Sequence, residues 1–283
     1  MPGTLYLVAT PIGNLEDITL RALRILREEV QSIACEDTRQ TQKLLEHYGI
    51  RKPLVSYHEH NEMARVPDIL DALKCGESVA LVSDAGTPLL SDPGYRIVTA
   101  AIAEGLQVIA LPGASALLTA LAGSGLPTDE FCFLGFLPPK SAGRRKMLSR
   151  IADHSATVIA YESPHRILET LADMTEILGD RPVVLARELT KLYEEFLRGT
   201  AAEIRAQLVQ NQSARGEMTL IIGKSEQKEA DLDAQAEIAR LQEEGVARMD
   251  AIKAVAKRMG LPKREVYRLV EGQDSNPTHK RRD

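Results

Sequence analysis

Tryptophan is absent from this 283-residue chain, and aromatic residues make up only 4% of it. So little aromatic surface excludes a membrane-interface belt or a base-stacking platform as the main device. Three cysteines, Cys35, Cys75 and Cys132, form no C-x-x-C pair. That excludes a disulfide framework and a zinc ribbon, and it suits a reducing compartment. The amino end has no basic segment followed by an apolar stretch, so no secretory signal is read. Residues Val108 to Leu126 are uncharged over a membrane-spanning length, but Pro112, Gly113, Gly123 and Gly125 break them into strand, turn and short helix. The expectation is a cytoplasmic protein without a membrane segment.

Familiar nucleotide signatures are missing as well. No G-x-G-x-x-G follows the first strand, and six residues separate Gly216 from Gly223-Lys224-Ser225 where a P-loop needs four. Neither a nicotinamide cofactor nor ATP is supported. His58-Glu59-His60 with Glu62 lacks the H-E-x-x-H spacing, and consecutive residues on a strand point to opposite faces, so no metal is assigned. No G-x-S-x-G is present to argue a nucleophilic triad.

What is there describes a soluble protein large enough for two cores: 44% apolar, 27% charged, net charge −5. The charge is uneven. Residues 248–283 hold ten Lys/Arg and five Asp/Glu, a local +5 that leaves −10 for the rest.

The first 111 residues alternate β-branched or apolar runs with helical periodicity. Strands are expected at Thr4–Ala9, Ser32–Glu36, Leu54–Tyr57, Ser78–Ser83 and Gln107–Leu111. Helices are expected at Ile18–Glu29 (capped by Asp17), Thr38–Tyr48, Asp68–Leu73 and Tyr95–Glu104. Five strands separated by helices imply a mostly parallel sheet. A second block reads strand Phe131–Gly135, basic helix Lys140–Ile151, strand Thr157–Tyr161, helix Pro164–Leu178, strand Pro182–Arg187, helix Ala201–Gln210 and strand Glu217–Ile222. Its more broken runs predict a mixed sheet. The fold class is therefore α/β, with an N-terminal domain over 1–123 and a second α/β domain over 124–225. A small helix-turn-helix-like region follows over 226–271, with Gly260 at its turn, and 272–283 is expected to be disordered.

Strand ends of a parallel sheet are where such domains bind ligands. Three loops rich in Gly and Pro follow expected strands: Thr10–Asp17, Asp84–Gly94 and Pro112–Ser115. Any one alone is explained as a tight turn; three on one edge argue for a cleft that presents backbone to a small polar ligand. Tyr161-Glu-Ser-Pro-His-Arg166 ends another strand, with Glu162, His165 and Arg166 expected to face the same cleft, against a reading as helix capping and surface charge. Lys140, Arg144, Arg145 and Lys146 form a basic cluster, with 140 and 144 on one helical face, suited to phosphates or simply to solvent. Glu36–Arg39 and Arg187–Lys191 set mixed charge at further strand ends, where ion pairing explains them as well as catalysis does.

Together, Leu7–Ile18, Cys35–Arg39, Ser83–Gly94, Pro112–Ser115, Gly135–Pro138 and Tyr161–Arg166 resemble the tetrapyrrole-methylase-type S-adenosylmethionine enzymes. Within them, Cys35–Arg39 and Tyr161–Arg166 resemble the ribosomal RNA small subunit methyltransferase I branch. The resemblance runs in order over residues 3–225. It implies two α/β domains with S-adenosylmethionine in the cleft between them, and a homodimer. It also implies 2′-O-methylation of a cytidine in 16S ribosomal RNA, near the decoding centre, with the RNA or the 30S subunit as partner. Carried onto this chain, it places Pro11, Ile12, Gly13, Asp84, Ala85, Gly86, Thr87, Ser115, Ala116, Tyr161 and Met218 against the cofactor.

Methyl transfer from a sulfonium needs no metal, because the donor already carries its leaving group; the protein must align the acceptor and exclude water. A ribose 2′-OH is a poor nucleophile, so a base or an orienting hydrogen bond helps. Asp37, Glu162, Glu188 and Lys191 are the candidates. Arg39, Lys140, Arg144, Arg145, Lys146 and Arg166 are the candidates for RNA phosphates. Two other readings stay open: a methylase acting on a tetrapyrrole-like small molecule, and a ligand-sensing DNA-binding regulator that uses residues 249–271.

Overall fold

The computed structural model describes residues 1–225, 234–259 and 261–271. Met1–Ser225 form one compact unit, and the described residues from Ala234 onward belong to a second. The first unit is α/β and contains two five-stranded sheets.

The first sheet has the order β3-β2-β4-β1-β5, all strands parallel: β1 Thr4–Val8, β2 Ser32–Cys35, β3 Leu54–Ser56, β4 Val79–Val82 and β5 Gln107–Ala110. Such strands are covered on both sides, and β4 is buried at every residue. One face packs Ala22, Ile25, Leu26 and Leu45 from the helices after β1 and β2. The other packs Ile69, Leu70, Leu73, Ile97 and Ala101 from α3 (Glu62–Lys74) and α4 (Tyr95–Ala103). The connection from β1 runs to one side of the sheet and that from β4 to the other, so a topological switch point lies between these neighbouring strands. Their C-terminal loops are joined there. Thr10 and Gly86 exchange both backbone hydrogen bonds at 2.9 Å, and Thr10 Oγ1 donates to the Ser83 carbonyl at 2.8 Å.

The second sheet is mixed, as its broken hydrophobic runs implied, with order β6-β7-β10-β8-β9. Its strands are β6 Phe131–Phe136, β7 Thr157–Glu162, β8 Pro182–Arg187, β9 Glu195–Thr200 and β10 Met218–Ile222, and only β6 and β7 are parallel. One face is closed by α6 (Ser141–Arg150), α7 (Ile167–Leu178) and α8 (Ala201–Gln210). On the other face Leu117, Ala120 and Leu121 of α5 (Ala116–Ser124) pack with Ile12 against Ile159, Val184, Ala186 and Ile221. A helix that follows the first sheet thus belongs to the core of the second.

Local differences from the sequence reading have physical causes. Asp17 does not cap the first helix. Asn14 caps a 3-10 turn over Leu15–Asp17, and the Thr19 hydroxyl then accepts from the Ala22 N–H to start α1 (Leu20–Arg24), which runs on as a π turn to Glu29. α3 begins six residues before its expected start. Asn61 Oδ1 accepts from His58 N–H at 2.8 Å and seeds the turn, and Pro67 costs a single ladder bond. His58–His60 consequently lie in that turn and not on a strand. The helix after β7 starts at Ile167 and not at Pro164. β9 was not expected at all; it is an edge strand, EFLRGT, paired along its whole length with β8.

The second unit contains α9 Ala234–Glu243, α10 Arg248–Arg258 and α11 Lys263–Glu271, around Ile238, Ile252, Val255 and Val266. Gly260 and the tail 272–283 lie outside the described residues. No helix among the described residues is long and apolar enough to cross a membrane.

Candidate active site

A cleft of about 640 Å³ lies where the C-terminal loops of the first sheet meet the second. That is a usual volume for a cofactor-sized ligand. Ile12 from the β1 loop, Ala85–Thr87 from the β4 loop, Ser115 and Ala116 at the start of α5, and Tyr161 and Met218 from the second sheet line it. These eight were expected against the cofactor. Pro11, Gly13 and Asp84, expected there too, line a separate cavity of about 240 Å³ with Gln40 and Lys43. The extended loop turns alternate residues to opposite sides, which divides Ile12 from its neighbours.

The walls are close-set backbone. A Cβ on Gly86 would stand 3.2 Å from Ile12 Cγ2, so side-chain bulk would fill the space the loop leaves. α5 begins at the cleft, capped by Ser115, and the positive end of its dipole favours a carboxylate there. Apolar Ile12, Leu90, Phe136 and Met218 complete a wall suited to an adenosyl and thioether surface. These residues fit S-adenosylmethionine.

Backbone strain collects in the same place. Five non-glycine residues have positive φ among the described residues: Leu89, Ser91, Glu188, Thr190 and Gln212. Four of them sit in the β4 and β8 loops that bound the cleft. Strained conformations of this kind persist where surrounding structure over-determines them, commonly at ligand sites.

The four candidates for proton handling separate. Glu188 and Lys191 line the cleft, 3.0 Å apart, and Lys191 also pairs with Glu217 at 3.2 Å. Burial opposes the charge on Lys191, but the two carboxylates overcome it and hold the ammonium above its usual pKa. It is a cation and no proton acceptor at neutral pH. Burial pushes Glu188 up, yet the Glu217 N–H and Lys191 outweigh it, and the carboxyl is held below the usual range. Glu162 does not present its carboxylate to the cleft. The side chain is fully enclosed and accepts from the Ser163 N–H at 2.7 Å, Arg166 at 2.7 Å and Thr170 Oγ1 at 2.6 Å. Asp37 lies outside the cleft lining. Its carboxylate accepts from the Arg39 side chain and N–H, which lowers its pKa to about 2.

The basic helix is corrected in the same way. Lys140 is exposed at the N-cap of α6, but Arg144 is 1% exposed. Its Nε donates to Asp173 at 2.7 Å, so the guanidinium stands in the core and is closed to phosphate. Arg145 is bound by Asp173 at 2.9 Å and Glu176 at 2.7 Å. Arg166 is held by Glu162. Arg39 is exposed while paired to Asp37. Lys140 and Lys146 are exposed and make no ion pair among the described residues.

Asp92 lines the cleft without having been singled out. Ser83 Oγ donates to it at 2.6 Å; burial nonetheless pushes its carboxyl up, with Asp84 adding to the effect. The signal was its place in the second Gly/Pro-rich loop, eight residues beyond Asp84.

A crevice at a switch point, walled by strand-end loops and closed by a second mixed sheet, defines the tetrapyrrole (corrin/porphyrin) methylase class, whose family pattern matches residues 4–205. Uroporphyrin-III C-methyltransferase of Thermus thermophilus, solved with S-adenyl homocysteine, has this fold: TM-score 0.54 and 20% identity, covering 79% of this chain and 98% of that one. Ribosomal RNA small subunit methyltransferase I of Halalkalibacterium halodurans is 50% identical over 274 residues, 94% of either chain, and that of Bacillus subtilis is 47% identical over 273 residues, 94% of this chain and 93% of the other. The chain belongs to the ribosomal RNA small subunit methyltransferase I family.

Proposed function

We propose that the protein methylates a cytidine 2′-hydroxyl in 16S ribosomal RNA near the decoding centre, as a homodimer acting on the RNA or the 30S subunit. The methyl donor is S-adenosylmethionine, which supplies an activated methyl on a sulfonium. The observation that carries the reading is the backbone-walled cleft with the Glu188–Lys191–Glu217 cluster at its edge.

Ile12, Ala85–Thr87, Ser115, Ala116, Tyr161 and Met218 hold the donor in this reading, with Pro11, Gly13 and Asp84 supporting the loops from behind. Glu188 is the ionised carboxylate on the cleft wall, and it orients the acceptor hydroxyl through a hydrogen bond. A carboxylate of lowered pKa is a weak base, so alignment and exclusion of water supply most of the acceleration. Lys191 meets the backbone phosphate beside the reacting sugar. Exposed Lys140, Lys146 and Arg39 receive flanking phosphates, while Arg144, Arg145 and Arg166 hold α6 and α7 in place.

The test is methyl transfer from radiolabelled S-adenosylmethionine to unmodified 30S subunits, naked 16S RNA and uroporphyrinogen, with the labelled nucleotide mapped for ribose methylation. Label in a cytidine ribose is expected. Label in the tetrapyrrole alone, or on an RNA base, overturns the proposal. Lys140→Glu with Lys146→Glu is expected to lower RNA methylation while calorimetric affinity for the donor stays unchanged.

A further inference from the structure

The second unit divides its charge. Residues 234–244 carry three acids and one base, whereas residues 248–271, spanning α10 and α11, carry seven bases and three acids. Between α10 and α11 runs a groove of about 310 Å³. Lys253, Lys263, Arg264 and Arg268 line it around Met249 and Tyr267, which are 57% and 42% exposed. Asp250 takes up Lys253 at 2.7 Å. Lys263, Arg264 and Arg268 are exposed and make no ion pair among the described residues.

The core of the unit does not need these side chains. Ile238, Ala251, Ile252, Val255, Ala256 and Val266 close it from within. Three exposed cations with no ion pair among the described residues, beside exposed apolar surface, match a phosphate backbone with its sugars and bases, the composition expected where RNA is gripped. An acidic peptide would satisfy the charge, since carboxylates fit the guanidinium fork as phosphates do, but it brings no flat bases to stack on the guanidinium planes and the exposed Tyr267 ring.

We infer that the α10–α11 groove is a second RNA-contacting surface, in which Lys263, Arg264 and Arg268 neutralise backbone phosphates. The inference rests on the reading that the substrate is RNA. The groove reads no sequence; it adds affinity to whatever the cleft selects.

The test uses the full chain and a fluorescein-labelled RNA hairpin of about 30 nucleotides, followed by anisotropy from 50 to 300 mM KCl. The variant is Lys263→Gln/Arg264→Gln/Arg268→Gln. Each lost phosphate contact lowers the salt slope by somewhat less than one, so the variant binds about 10- to 100-fold more weakly at 150 mM, with a slope smaller by about 2 to 3. A charge-matched control, Arg21→Gln/Arg65→Gln/Lys74→Gln, stays within about twofold of the parent. Far-UV circular dichroism checks that α9–α11 persist. If the triple variant loses helix, Arg268→Gln alone is measured and must lower the slope by about 1. Equal affinity and slope in parent and variant overturn the inference. So does an equal loss in the control, which would make the effect bulk charge, or tighter binding of an acidic peptide or duplex DNA than of RNA. Failure to methylate any RNA, with the binding loss intact, sinks the proposed function and leaves the groove standing. Unchanged binding with methylation intact sinks the groove alone.

Discussion

Gly216 offers a test of how the cleft edge is held together. Its φ is +86°, and a Cβ there would come within 2.5 Å of the Glu188 carboxylate. That carboxylate cannot swing aside freely. Its Oε1 accepts from Lys191 Nζ at 3.0 Å and from the Glu217 N–H at 2.9 Å. Gly49, which closes α2 (Thr38–His47), has a φ of +63° and nothing within 4 Å of its would-be Cβ. The two glycines share the left-handed backbone and differ in the space around it. An alanine in that region costs about 1–2 kcal/mol. Restriction of the unfolded chain returns about 0.4–1 kcal/mol. Gly49→Ala is therefore expected to lose about 0.5–1 kcal/mol. Gly216→Ala loses this and also two hydrogen bonds to a charged group, each worth about 1.5–3 kcal/mol before water repays part at this half-exposed site. A further loss of about 2 kcal/mol follows, some 30-fold in the unfolding constant. Urea denaturation of both variants, read as midpoint at constant slope, measures the difference. Calorimetry with S-adenosylmethionine gives a second reading, with affinity expected to fall about tenfold for Gly216→Ala alone, equal to about 1.4 kcal/mol. If Gly216→Ala costs no more than Gly49→Ala, the carboxylate is not fixed and the orienting role given to Glu188 fails.

Arg144→Ala leaves the Asp173 carboxylate without its main partner in the core and is expected to destabilise by about 3–5 kcal/mol, whereas Lys146→Ala stays within about 0.5 kcal/mol; equal effects in denaturation would place Arg144 on the surface. Asp37 should titrate near 2 by NMR and return towards 3.8 in Arg39→Ala. Because its folded pKa is depressed, its stabilising contribution is present above about pH 4 and is lost as pH falls towards 2, so an acid limb unchanged in the variant refutes the pairing. The Tyr57 phenol is pushed up to about 12 by burial and by Glu62. Its raised pKa contributes stability below about pH 10 that is lost as pH rises towards 12, and ultraviolet titration of the parent against Tyr57→Phe should show one phenol ionising that late. Lys191→Met should lower methyl transfer more than donor affinity; a larger fall in affinity would assign Lys191 to the donor.

Strands and loops were legible in the sequence because their signals are local. β4 is a short apolar run bounded by polar residues, and the Gly/Pro-rich stretches after β1, β4 and β5 announce turns whatever surrounds them. Alternation along a parallel sheet then determined that these three loops share one edge, and the cleft followed from that. The family was legible for the same reason, since its motifs are contiguous stretches. β9 was not legible, because an edge strand with Glu195, Arg198 and Gly199 carries little hydrophobic pattern of its own and exists by pairing with β8.

Only tertiary structure decided what the charges do. Lys140 and Arg144 are one helical turn apart and identical in sign, yet one is in solvent and the other is enclosed against Asp173, contributed by α7. Arg181, equally basic, is buried among the carbonyls of Gly223, Ile151, Ala152 and His154. Glu162 and Glu188 end strands alike, but Arg166 and Thr170 close over the first, and the second opens on the cleft beside Lys191. The role of an ionisable side chain depends on the partners and solvent that reach it. Those arrive from residues distant along the chain, so composition and spacing determined the scaffold and its donor cleft, and packing chose which charges remain free to act.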